Sequence, residues 1–302
     1  MGEFYLICVS IFCFLSGYGW RLSLKKSNFR AKHIIKIYMG YWISISIILI
    51  IINVFSCEPT LAVAQQHNYI YEYLCFTQNI CFFSWYILFY AVAVLCYPYI
   101  YKYSGSLKKV IIFSLVSFLA HIGIWKLSSI ILIPDTVYML FNKLTLYLPT
   151  VLVGSFCAEK DYINKMLKKF KDNSTIGCLL TLFITYIIYG FFDLIVQQQK
   201  IAIFLFTFLV PFVIVSLIKI IYKFNNRYLN LILMRLGKLS LFYWLLQALF
   251  FYTKIQSVIY FPKYSVLILI WSIMALTPLS FLGDYINTNI CNSINKILKY
   301  TN

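Results

Sequence analysis

The chain has 302 residues, 62% of them hydrophobic and only 12% charged, with 26 Lys and Arg against nine Asp and Glu and a mean hydropathy of +0.82. A soluble domain carries about 25% charged residues, so this composition excludes a water-soluble enzyme and predicts an all-α, polytopic bundle of transmembrane helices. The formal net charge of +17 predicts no nucleic-acid partner, because the basic residues sit in short connections between apolar runs rather than on one continuous face; membrane lipids are the expected counterions.

Apolar runs long enough to span a bilayer can be laid out nine times, near 4–20, 37–55, 80–100, 110–128, 137–157, 175–195, 201–221, 239–260 and 264–284. The connections are brief, and no repeat or soluble insertion separates them, so residues 1–302 are expected to form a single transmembrane domain. The first run closes on Ser16-Gly17-Tyr18-Gly19. Two glycines so close weaken a helix unless a break or a close backbone approach is wanted, and this stretch predicts a helix end followed by a small-residue turn. Arg21, Lys25, Lys26, Arg30, Lys32 and Lys36 follow with no acid among them.

Lys and Arg accumulate on the cytoplasmic side of short loops, and here they alternate. The loops at 21–36, 101–109, 158–174 and 222–238 and the tail carry most of the 26 basic residues. They are predicted to share the cytoplasmic side, with the carboxyl terminus cytoplasmic and the amino terminus outside.

Few residues suggest chemistry. His121 lies inside the fourth span, where an ionisable residue is a functional suspect, though a neutral imidazole bonded to a neighbouring helix suits the same position. No carboxylate or Cys stands at ligand spacing beside it, and His33 and His67 fall in loops, so no metal site is expected. Lys143, Asp135 and Asp193 lie in or near the outer half of the membrane, where a charge needs a wet cavity, a partner or a route to the interface. The nine Cys form no C-x-x-C pair; Cys57 and Cys75 share a predicted outer loop, which leaves a bridge open.

Several separated stretches bear a resemblance to the acyltransferase-3 family, multispanning enzymes that O-acylate sugars of polysaccharide, lipopolysaccharide and peptidoglycan. Phe12-Cys13-Phe14-Leu15-Ser16-Gly17-Tyr18 looks like the FF-x-x-SGY end of the family's second helix, and Arg30 through Trp42 looks like the basic run into its third. Trp85 through Pro98 is similar to the W-x-L segment closed by proline, Leu236 through Leu246 to the late LG-x-x-S-x-x-x-Y-L-L-H motif, and Leu148-Pro149 to Gly154 echoes a P-x-x-x-x-G segment.

The resemblance implies transfer of an acyl group, usually acetyl, from cytoplasmic acyl-coenzyme A to a hydroxyl of a surface glycan or its lipid-linked precursor, in a bacterial cytoplasmic membrane. It implies acyl-donor contacts at Arg30, Lys32 and Lys36, with Ser16, Tyr18, His121, Tyr243 and Gln247 as candidates for polar lining. No bound cofactor is expected; acyl-coenzyme A is the co-substrate and the glycan the acceptor. The chain also departs from the family. The His that members carry on a helix before the second-helix motif has no counterpart here, so no catalytic residue is assigned. Tyr90 stands where many members have Glu, and Gln247 replaces the late His. A glycan transporter or flippase, and a truncated, inactive relative, are the competing expectations. A further helix upstream would supply the His and give an even number of spans.

Overall fold

Continuous apolar runs leave the backbone one way to satisfy its polar groups in lipid, the α-helix, and the computed structural model is all-α. It describes residues 4–24, 29–57, 69–78, 80–169, 175–196, 199–223 and 226–300. Its helices are α1 (Phe4–Ser23), α2 (Phe29–Phe55), α3 (Tyr69–Tyr73), α4 (Ser84–Ile100), α5 (Leu107–Ser128), α6 (Asp135–Glu159), α7 (Tyr162–Lys169), α8 (Thr175–Val196), α9 (Gln199–Lys223), α10 (Arg227–Leu246), α11 (Thr253–Ile259) and α12 (Ser265–Tyr300). Short 3-10 turns follow α4 at Tyr101–Gly105 and α10 at Gln247–Phe251.

Among the described residues, seven helices are long and apolar enough to cross a bilayer, and the chain is an integral membrane protein. Each of the nine predicted runs has its own long helix, α1, α2, α4, α5, α6, α8, α9, α10 and α12. Several boundaries differ from expectation, and α2 starts at Phe29, inside the predicted loop 21–36, so that His33 lies on a helix and not in a loop. α1 does not stop at Ser16–Gly19 but continues to Ser23. α10 starts at Arg227, inside the predicted loop 222–238, and breaks at Gln247, inside the predicted span 239–260. α12 runs to Tyr300, well past residue 284. Cys57 and Cys75 are both buried free thiols.

The helices gather into two compact units. One holds Met1–Phe29 and Ala93–Leu229, and α6 is its hub, packing on α1, α5, α9 and the Tyr101–Gly105 turn. The α1–α6 crossing explains Gly17 of the first run. A Cβ on Gly17 would overlap the Val151 backbone, and one on Gly154 would overlap the Phe14 carbonyl, so the two backbones touch only because both positions lack a side chain. Gly19 meets no atom within 4 Å. Hydroxyls bridge helices elsewhere: Thr150 to Thr207 between α6 and α9 at 2.8 Å, and Ser117 Oγ donating to the Thr145 carbonyl between α5 and α6 at 2.8 Å.

The other unit holds Arg30–Val92 and Asn230–Asn302. Here Gly40 of α2 faces Leu241 and Asn287, and Gly283 of α12 lies against the Phe242 ring. Trp244 of α10 sits edge-on to Tyr86 at 4.9 Å between ring centroids and lies 5.3 Å from Phe83. Tyr243 and Thr277 share a hydrogen bond of 2.7 Å, and Lys238 pairs with Asp284 at 2.8 Å, which ties α10 to α12.

Candidate functional site

Two polar clusters stand out, one in each unit. In the first unit the ends of α1, α4 and α6 come together. Arg21 pairs with Glu159 at 3.3 Å with both side chains about a quarter exposed, and its guanidinium lies 5.3 Å from the centre of the Tyr101 ring. Ser104 Oγ lies 3.1 Å from Glu159 Oε2 and 2.6 Å from the Tyr101 carbonyl. One turn further into the bundle, the Tyr97 and Ser155 hydroxyls bond at 2.7 Å, and Trp20 packs edge-on to Tyr97.

Around this neutral pair the surface is basic. Lys102, Lys108, Lys109, Lys160, Lys165, Lys168 and Lys169 are all exposed. α7 buries Ile163 and Met166 while its lysines face outward. Such a surface suits phosphates, whether of lipid headgroups or of a soluble ligand.

In the second unit the cluster is built on Glu72, which is fully buried. Its carboxylate Oε1 accepts the Ile80 N–H at 3.2 Å, and its backbone carbonyl accepts the Tyr41 hydroxyl at 2.7 Å. Trp42 Nε1 donates to the Tyr73 carbonyl at 2.9 Å, and the Ser46 and Tyr73 hydroxyls bond at 3.1 Å. The Cys81 thiol points at the Leu245 carbonyl, next to the break in α10, and Tyr252 beyond that break bonds the Ile80 carbonyl at 3.4 Å. Enclosed as it is, Glu72 positions its neighbours instead of touching a substrate. Sequence reasoning missed it; the signal was a lone acid among aromatics, in Tyr69-Ile70-Tyr71-Glu72-Tyr73, in a chain with nine acids.

The residues singled out from the sequence are divided between the units. Ser16 and Tyr18 are half-buried on α1. His121 of α5 is buried, with Nδ1 3.3 Å from the Thr145 hydroxyl of α6, a contact between neighbouring helices. Lys36 is exposed on α2, Tyr243 is half-buried against Thr277, and Gln247 is exposed where α10 gives way to the 3-10 turn. Tyr90 is half-buried beside Tyr86. Arg30 and Lys32 fall on α2, but their side chains, like that of Asp193, lie outside the described residues, as does His67. Lys143 is half-buried within α6, and Asp135 is exposed in its first turn. Among the described residues no group of three His, Cys, Asp or Glu could hold a metal ion.

No protein-family model matches the chain, and no curated protein and no solved structure matches it either.

Proposed function

We propose that the protein is a membrane O-acyltransferase that takes its acyl group from acyl-coenzyme A and delivers it to a hydroxyl of a cell-surface glycan or its lipid-linked precursor. The observation that carries this reading is that the separated stretches resembling the acyltransferase-3 family are packing partners within each unit. In one unit the Gly17 stretch locks onto the Leu148–Gly154 stretch. In the other, Tyr86 meets Trp244, and Gly40 meets Leu241.

On this reading the donor's phosphates are held by Arg30, Lys32 and Lys36, and Tyr243 and Gln247 of the same unit supply polar lining. Attack by a sugar hydroxyl needs a base for its proton and donors for the developing oxyanion. Labelled acetyl-coenzyme A supplied to membranes containing the protein is expected to leave label in glycan, and absence of label from glycan would overturn the reading. Lys36→Gln should weaken donor binding severalfold at low salt while leaving insertion intact, as measured by equilibrium binding of the purified protein.

A transporter of a glycan intermediate is the second reading, and the break in α10 favours it. Discontinuous helices beside buried polar groups are how transporters build sites within the bilayer. Movement of glycan across vesicle membranes without acylation separates the two.

A further inference from the structure

We propose that Tyr69–Phe83, of which the sequence reading places the part before residue 80 in an outer loop, is a re-entrant membrane segment whose outward face is covered by lipid acyl chains. This rests on the second unit alone and stands whichever activity the protein has. Three observations carry it.

The first is depth. α2 is one continuous helix ending at Phe55, whose carbonyl accepts the Lys254 ammonium at 2.7 Å. Tyr41, which binds the Glu72 carbonyl, lies 14 residues before that end, or about 21 Å along the axis at 1.5 Å per residue. Trp42 binds Tyr73 at nearly the same level. Even a tyrosine side chain stretched fully toward the helix end leaves Glu72 on the order of 10 Å inside a hydrocarbon layer about 30 Å thick.

The second is an inverted pattern of burial. Glu72 is 0% exposed, whereas Ile70 is 70%, Leu74 43%, Phe76 42% and Phe82 45% exposed. An aqueous loop would turn its acid outward and its large apolar side chains in; a segment facing hydrocarbon does the reverse.

The third is saturation of the backbone. Irregular chain survives at membrane depth only where its polar groups are satisfied within the protein. The carbonyls of Glu72, Tyr73, Thr77 and Ile80 accept side chains of Tyr41, Trp42, Ser84 and Tyr252. The amides of Leu74, Cys75 and Phe76 close turns onto Ile70, Glu72 and Tyr71, and the Ile80 amide takes the Glu72 carboxylate. Glu72 thus serves as an acceptor internal to the segment.

Covalent footprinting of the intact protein in lipid nanodiscs tests this without substitutions. A carbene generated on the lipid tail should label 69–76 as strongly as the exposed face of α12 at 266–274, and hydroxyl radicals from water should label it several-fold less than Phe261–Lys263. Strong hydroxyl-radical labelling of Ile70 and Leu74 would overturn the proposal by returning the segment to water. Protection from both reagents would overturn it too, by placing a second copy or another protein surface where lipid is expected.

Discussion

Single residues at helix crossings carry the sharpest consequences. Gly17→Ala pushes a methyl group into the Val151 backbone, which cannot move aside as a side chain can. It should destabilise the protein by about 1–3 kcal/mol, lowering the thermal unfolding midpoint in nanodiscs. Gly19→Ala, two residues on but facing open space, should be neutral or slightly stabilising, since alanine is the better helix former. Equal losses from both would mean that the crossing does not depend on Gly17. The Arg21–Glu159 pair is partly exposed, so each of Arg21→Gln and Glu159→Gln should cost only about 0.5–1 kcal/mol. Reversal of both charges should recover part of the loss, and the recovery should shrink as salt rises.

Elements show where sequence is informative and where it falls silent. Each long helix lies where an apolar run predicts it, because burying a helical backbone in lipid takes a run of side chains that hydropathy measures directly. Charge misplaced the start of α10. Arg227, Arg235 and Lys238 were assigned to a loop, yet a helix that begins outside the bilayer can carry them on its first turns. Hydropathy was blind to Glu72 and the Tyr69–Phe83 segment, where the deciding contacts join residues 31 apart in sequence. The glycines of α1 were legible as a constraint, and for Gly17 the structure selects close backbone approach over a break. His121 was legible as an intramembrane polar residue, and it meets Thr145 of the neighbouring helix. α10 and α12 offer a check on one such tie: losing the Tyr243–Thr277 bond through Tyr243→Phe should cost about 1 kcal/mol. Adding Thr277→Val should cost little more than either change alone, which a double-mutant cycle on thermal unfolding reads out.

At the scale of the whole molecule, the bonds among Arg21, Tyr101, Ser104 and Glu159 bring the ends of α1, α4 and α6 together at one end of their unit, the end from which the basic connections at 101–109 and 158–169 leave. If that end is cytoplasmic, thiols introduced at Lys108 and Lys168 should be shielded from an impermeant reagent in intact cells and react once the membrane is opened. Reaction from outside would invert the topology. The crossing of Gly17 with α6 also bears on how the protein is made. Translation proceeds at about 5–20 residues per second, so Gly154 is made roughly seven to thirty seconds after Gly17. During that interval the ribosome delivers residues 30–92, which belong to the other unit. The newborn helix must therefore wait in lipid with its glycine face uncovered, and a chain stalled before α6 would present that face to the quality-control proteases of the membrane.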